Sequence, residues 1–123
     1  ENVDPSEHCN LSIQNAAENG HTYIVKLLLK DKRVDPSSDE NYAIGFASLN
    51  GHIDIVKLLL EDERVNPTDD HNFAILQAYK EKRINVVKLL WEKDIIKENL
   101  KNEDLPMFHQ IQKKIIQKKV SEF

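Results

Sequence analysis

Apolar and polar residues follow one another along this chain in a pattern that returns every 31 residues. The clearest copy is Asn50-Gly51-His52-Ile53-Asp54-Ile55-Val56-Lys57-Leu58-Leu59-Leu60. The same pattern begins earlier at Asn19 and returns, with several substitutions, at Glu81. A fixed period of this size indicates a stack of similar units. We therefore predict a single domain of three repeats, at about 3–33, 34–64 and 65–95, with a divergent C-terminal segment over about 96–123.

The sequence of each repeat predicts two helices joined by a turn. Tyr42, Ile44 and Ala47 place small and apolar side chains along one stripe at helical spacing. Gly51 then interrupts the run where a left-handed residue is most useful. A second helical stripe follows, and Pro67 prevents the helix from continuing into the next repeat. The prediction is an all-α solenoid built from helix–turn–helix units.

The predicted core consists of the aliphatic and alanine positions that recur in both helices of each unit, because one helix pair cannot bury its apolar stripe alone. It comprises Ile13, Ala16, Ile24, Val25, Leu28, Ile44, Ala47, Ile55, Val56, Leu59, Ile75, Ala78, Val86, Val87 and Leu90.

The two ends of the chain differ from its middle. Polar residues in the first unit, such as Ser12 and Thr22, suggest an N-terminal cap, although further repeats before it would also fit. At the other end, Pro106 fits the first turn of a helix. Phe108 and Ile111 belong to an apolar stripe in this segment, which predicts one amphipathic capping helix over about 104–120.

Composition narrows the functional classes. The chain is 40% hydrophobic and 31% charged, with a formal net charge of −4, so it is typical of a folded helical domain and strong attraction to nucleic acid is not expected. Cys9 is the only cysteine, which excludes an internal disulfide and a multi-cysteine zinc site. No apolar run is long enough to span a bilayer. The sequence lacks an initiator Met, so we expect it to be part of a longer protein.

The sequence offers no convincing catalytic, cofactor-binding or metal-binding set. Cys9 beside His8 suggests a thiol–imidazole pair, but adjacent side chains point apart and His21 is a whole helix away. His21 and His52 are interpreted as turn residues. The neighbouring carboxylates Asp69 and Asp70 belong to a loop, where we expect them to be solvated. We therefore predict a protein that is not an enzyme and that needs no cofactor or metal ion.

The repeated residues resemble the ankyrin family, whose pattern runs T-P-L-H-x-A-A-x-x-G-H-x-x-V-V-x-L-L-L. The second unit matches through Ile44, Ala47, Gly51, His52, Ile55, Val56 and Leu58 to Leu60. The Thr-Pro-Leu-His box is replaced, and the third unit has Lys82-Arg83 in place of Gly-His. The period is about two residues shorter than usual, so we expect a short turn around Val-Asp/Asn-Pro-Ser/Thr with little β-structure. The sequence of these repeats is similar to that of ankyrin arrays of amoebae, giant viruses and intracellular bacteria.

The resemblance implies a protein-binding surface on the concave face. Transferred position by position, it consists of His8, Asn10, Glu18, Asn19, Ser38, Asp39, Asn41, Leu49, Asn50, Asp69, Asp70, Asn72, Lys80 and Glu81. Phe46 joins this set because it and Leu49 are apolar where both neighbouring units are polar. For the recurring Asn10, Asn41 and Asn72, a helix cap or a hydrogen bond between repeats is the competing interpretation.

We therefore expect a monomeric protein–protein interaction module, acting as a scaffold or adaptor in the cytoplasm or, for a host-interacting protein, in the cytoplasm of a host. One alternative is nucleic-acid binding through the lysines of the C-terminal helix. The other is an enzyme whose catalytic part lies outside this sequence.

Overall fold

The computed structural model describes residues 5–103 and 105–121, and every regular element in these ranges is an α-helix. The helices are α1 Pro5–Glu18, α2 Thr22–Leu28, α3 Ser38–Leu49, α4 Ile53–Leu60, α5 Asp69–Lys80, α6 Ile84–Trp91, α7 Asp94–Glu103 and α8 Leu105–Ser121. None of the described helices is both long and apolar enough to cross a membrane. The predicted all-α repeat architecture is confirmed.

The helices stack in two rows. The first helices of the repeats, α1, α3 and α5, contact one another in sequence, and α7 continues this row. The second helices α2, α4 and α6 form the other row. Ala16, Ala47 and Ala78 are all buried, as expected where a small side chain lets neighbouring helices approach closely. The core therefore lies between the two rows and runs the length of the stack.

Two predicted core residues are not fully buried, because Leu28 is only partly buried and Ile24 is exposed. Ile24 is 46% exposed, whereas its repeat equivalents Ile55 and Val86 are 0% and 2% exposed. The reason is positional, because Ile55 and Val86 lie in repeats that follow another repeat in this chain. Tyr23 is also exposed on α2, so the first unit does not present the polar outer face suggested by its sequence.

A left-handed turn opens the first helix of the second and third repeats. Asp39, Glu40 and Asn41 have φ values of 52°, 55° and 60°, and residues 70–72 repeat this conformation. Asp and Asn tolerate the left-handed region better than most side chains. Just upstream, Asp35 Oδ1 accepts hydrogen bonds from the backbone N and the Oγ of Ser37, at 3.0 and 2.6 Å. The expected short turn is confirmed in these two repeats.

The first repeat departs from this geometry. Helix α1 begins at Pro5 and includes His8 and Asn10, which correspond by period to the left-handed turns. In the first repeat these two residues of the predicted partner-binding surface therefore lie within a helix. A proline fits the first turn of a helix, because its missing N–H would have no partner there.

The C-terminal segment contains more structure than the single capping helix that was predicted. Helix α8 matches that prediction, except that Asp104 lies outside the described residues. Helix α7 precedes it and packs against α5, α6 and α8. The rings of Trp91 and Phe108, with centroids 5.2 Å apart, connect α6 to α8. Together α7 and α8 cover the third repeat with a divergent fourth helix pair.

Candidate partner-binding surface

Three aromatic side chains form a strip across the row of first helices. Tyr42 and Phe46 stack with ring centroids 4.2 Å apart, and Phe46 meets Phe73 of the next repeat at 5.1 Å. Tyr42 and Phe46 are four residues apart, so α3 places them on one face. All three side chains are partly exposed. We call Tyr42, Phe46 and Phe73 the aromatic strip.

Acidic residues of the two left-handed turns lie beside the aromatic strip. A small cleft of about 60 Å³ is lined by all three aromatic residues together with Asp39, Glu40, Asp69 and Asp70. Glu40 and Asp70 are exposed. The cleft therefore combines ring faces with carboxylates, which is an environment suited to a cationic side chain.

Two of these carboxylates also hold neighbouring repeats together. Asp39 Oδ2 accepts a hydrogen bond from Gln14 Nε2 at 2.8 Å, and Asp69 Oδ2 accepts one from Asn41 Nδ2 at 2.9 Å. The contacts between repeats thus fix Asp39 and Asp69 in place. Glu40 and Asp70 are exposed and their carboxylates take no part in these two hydrogen bonds, whereas Asp39 is exposed but takes part in one of them.

The recurring asparagines connect the repeats. Asn10 Oδ1 accepts a hydrogen bond from the backbone N–H of Asp35 at 2.7 Å, and Asn41 Oδ1 accepts one from the backbone N–H of Asn66 at 2.9 Å. Asn72 Nδ2 donates to Asn99 Oδ1 at 2.8 Å. Asn41 and Asn72 are buried. The assignment of Asn41 and Asn72 to the partner-binding set is therefore not supported, because their side chains are buried and bound to the neighbouring helix.

Glu18 contributes to the surface through Tyr42. The Tyr42 hydroxyl donates to Glu18 Oε1 at 2.5 Å. This hydrogen bond and, second to it, burial raise the pKa of the Tyr42 hydroxyl above its ordinary value. The predicted residue Asn50 is also bound internally, because its Nδ2 donates to the backbone O of Glu18 at 3.0 Å.

The remaining predicted residues do not line the cleft. Ser38 lines a separate shallow depression with Asn10 and Asp39. Asn19, Leu49, Lys80 and Glu81 lie at or just beyond the C-terminal ends of the first helices.

At 1.5 Å per residue, the seven residues from Phe73 to Lys80 span about 10 Å. The predicted set thus separates into a group at the cleft and a group about 10 Å further along the helices. His8 is exposed on α1, at the N-terminal end of the stack.

The sequence-based set did not include Glu40, Tyr42 and Phe73, which supply a carboxylate and two rings to the cleft. A signal for the two aromatics was present, since Leu11, Tyr42 and Phe73 occupy equivalent positions. Tyr42 and Phe46 also have the spacing of neighbours on one helix face. The family pattern has a threonine at that position, so it does not indicate an aromatic residue of a binding surface there.

Comparison with known families identifies the chain. The family model described as ankyrin repeats, in three copies, matches residues 13–102. The chain belongs to the ankyrin-repeat family. Comparison with curated proteins and with solved structures gives no significant match. Ankyrin repeats are generally protein–protein interaction modules and are typically non-catalytic.

The ankyrin Gly-His turn has a structural role in this chain. His52 Nε2 lies 3.0 Å from the backbone O of Glu18, at the end of α1. A carbonyl oxygen only accepts hydrogen bonds, so Nε2 carries the proton in this contact. The same role is filled in the third ankyrin repeat by Arg83, whose Nε donates to the backbone O of Leu49 at 3.1 Å.

The other residues considered for catalysis or metal binding in this ankyrin domain also form no reactive group. Cys9 is half-buried and packs against the core. Within residues 5–103 and 105–121, no group of three or more His, Cys, Asp or Glu side chains is arranged to hold a metal ion.

Proposed function

We propose that this ankyrin-repeat chain is an interaction module that binds a segment of a partner protein rich in basic and apolar side chains. The binding site is the aromatic strip with the carboxylates of Asp39, Glu40, Asp69 and Asp70. The observation that carries the proposal is the joint placement of three neighbouring aromatic rings and four acidic residues around one cleft.

The chemistry of the cleft favours a cationic side chain. A lysine or arginine placed over an aromatic ring is attracted to the negative ring face. Carboxylates at the edge of the same cleft add Coulomb attraction, which is screened by salt where the groups are exposed. An uncharged apolar side chain would use the rings but gain nothing from Glu40 and Asp70.

The cleft is also held in shape before a partner arrives. Its walls come from two repeats that are joined by the hydrogen bond between Asn41 and Asp69. The Tyr42 ring is fixed at one end by its bond to Glu18. A preorganised site loses less entropy on binding than a flexible one, so a short peptide segment is sufficient as a ligand.

We further propose that the module acts as a monomeric scaffold or adaptor in a cytoplasmic compartment. A single half-buried thiol is compatible with a reducing environment.

The test uses two synthetic amphipathic peptides of equal length, one carrying leucine and lysine and the other carrying leucine and glutamate. Binding of each to the whole chain is followed by amide chemical shifts at moderate salt. We expect the lysine peptide to shift resonances of residues 39–46 and 69–73. The double variant Glu40→Gln/Asp70→Asn should weaken this binding by about fivefold, because it removes two exposed charges.

The matched control is Glu61→Gln/Glu63→Gln, which removes two exposed charges in the loop after α4. A second variant, Phe46→Gln, introduces the residue found at the equivalent position of the third repeat, Gln77, and should also weaken binding. The proposal fails if the control lowers the affinity as much as the double variant, or if the shifts appear elsewhere.

A further inference from the structure

An apolar groove lies between the third repeat and the last helix. One wall consists of Tyr79 at the end of α5 with Ile84 and Val87 of α6, and the other consists of Ile111 and Ile115 of α8. The groove has a volume of about 200 Å³. It exists because α8 does not repeat the sequence of α2, α4 or α6 and so does not fit against α6 as those helices fit one another.

Lysines are the charged residues at this groove. Lys88 of α6 and Lys114 of α8 belong to its lining, and no acidic side chain lies among the described residues that line it. The Lys114 ammonium group sits 5.5 Å from the centre of the Tyr79 ring. The groove therefore pairs an apolar floor with a positively charged edge.

We propose that this groove binds an acidic amphipathic segment of a partner protein. The segment inserts an apolar side chain between α6 and α8 and places a carboxylate next to Lys114. Charge complementarity selects an acidic segment over a basic one, because the charged side chains among the described residues that line the groove are lysines.

The size and shape of the groove favour a peptide over a small molecule. Pockets for drug-sized ligands measure about 300–1,000 Å³, and this groove is smaller and open to solvent. One or two side chains of a longer peptide fit such a space while the rest of the peptide lies along the surface. An amphipathic helix laid into a groove is a common form of peptide recognition.

This inference is independent of the proposed function. The aromatic strip belongs to α3 and α5 and is bordered by carboxylates, whereas the groove is formed by α5, α6 and α8 and is bordered by lysines. A chain with both surfaces would join a basic segment of one partner to an acidic segment of another. Either surface can fail its test without affecting the other.

The test uses the peptide of leucine and glutamate described above, with the lysine peptide and the fatty acid decanoate as competing probes. We expect the glutamate peptide to shift the amides of residues 84–88 and 111–117 and to change the fluorescence of Trp91, the single tryptophan. Lys114→Glu should weaken this binding by about fivefold, since an attraction becomes a repulsion.

Lys113→Glu is the matched control, because it makes the same charge change on the same helix at a residue that does not line the groove. It should alter the affinity less than twofold at moderate salt, where exposed charges a few ångströms further away are partly screened. Circular dichroism and thermal melting establish that both variants remain folded.

Three results would overturn the proposal. The first is an equal loss of affinity in the Lys113→Glu and Lys114→Glu variants. The second is equal binding of the lysine and glutamate peptides at residues 84–88 and 111–117. The third is a shift of these amides by decanoate without any by the glutamate peptide, which would identify the groove as a fatty-acid site instead.

Discussion

The second and third repeats make the same turn between their helices with different residues. In the second repeat Gly51 has a φ of 77° and His52 contacts the backbone O of Glu18. In the third repeat Lys82 adopts a φ of 60° and Arg83 donates to the backbone O of Leu49. The two acceptors, Glu18 and Leu49, are themselves equivalent by period.

This comparison separates what the turn requires from what the family pattern contains. The position after the first helix requires a left-handed backbone, and the next position requires a donor that reaches a carbonyl group of the preceding repeat. Imidazole and guanidinium both supply that donor. The histidine of the Gly-His pair is therefore a connector between repeats, which explains why the third repeat tolerates its replacement.

The largest effect is expected for Gly51→Val. Valine is β-branched and is strained at positive φ, and a Cβ at this position would lie 2.9 Å from Cδ of Arg83. We expect a loss of about 2 kcal/mol in the free energy of unfolding and a drop of roughly 5–10 °C in the melting temperature. Thermal melting followed by circular dichroism measures it.

Gly51→Asn is the control for this prediction. Asparagine adds the same Cβ but tolerates the left-handed region, so it isolates the contact with Arg83 from the backbone strain. Equal stability of the valine variant and the original chain would show that the backbone of the turn is not constrained as described.

A smaller effect of opposite sign is expected for Lys82→Gly. This substitution gives the third repeat the residue of the second and relieves a side chain held at a φ of 60°. We expect a gain of about 0.5–1 kcal/mol in the free energy of unfolding, because glycine adopts positive φ without steric cost. Urea unfolding is the measurement.

Lys57→Gly provides the control, since it makes the same change at an exposed position within α4. Glycine within a helix is unfavourable by about 1 kcal/mol relative to alanine, so this variant should be less stable. If both variants lose stability, the left-handed backbone at Lys82 does not lower the stability of the third repeat.

The smallest effect on stability is expected for an aspartate in the loop that follows the second helix of a repeat. The first and second repeats differ in the hydrogen bonds made in this loop. Asp31 binds Arg33 through both carboxylate oxygens, at 3.1 and 2.8 Å. Asp62 binds Arg64 in the same way, but Arg64 also donates to the backbone O of Val34 in the preceding repeat at 2.8 Å. We therefore expect Asp62→Asn to lower the stability more than Asp31→Asn does.

The pH dependence of this effect follows from the pKa of Asp31. Hydrogen bonds from the Arg33 side chain, followed by one from its backbone, lower the pKa of Asp31 from 3.8 to about 2 in the folded state. A carboxyl whose pKa is lower in the folded state stabilises the fold above its unfolded pKa and loses this contribution as pH falls.

The difference between the original chain and Asp31→Asn should therefore be constant near neutral pH and shrink between pH 3.8 and about 2. Urea unfolding across this range measures it, with Glu98→Gln in α7 as an exposed control. A difference that persisted at the low end of the range would mean that the aspartate acts through something other than its charge.

Much of the fold could be predicted because repetition multiplies a weak local signal. Ile44, Ala47 and Val56 each have counterparts at a distance of 31 residues in both directions. Helix α7 could not be predicted in this way, since it lies beyond the regular period. The exposure of Ile24 could not be predicted, because the repeat pattern identifies positions that can pack against a neighbouring repeat. It does not show whether a neighbouring repeat covers a given position.

The candidate site was predicted less well than the fold. Phe46 was identified because it is apolar where the neighbouring repeats are polar. Asp70 was identified because it belongs to a loop. Asn41 and Asn72 share the polarity of a binding residue but are used internally, and only their burial distinguishes these two roles. Tyr42 and Phe73 were overlooked because the significance of each ring depends on a partner in the adjacent repeat.

By itself, the sequence determined the number of regular repeats, the helix pairs, the left-handed glycine turns and the membership of the ankyrin family. These properties depend on periodicity and on the steric demands of single residues, which are local. Only the tertiary structure decided that three rings and four carboxylates meet at one cleft, and that α6 and α8 leave an apolar groove between lysines. Such surfaces are made by side chains from different helices, and their distances are set by how the helices pack.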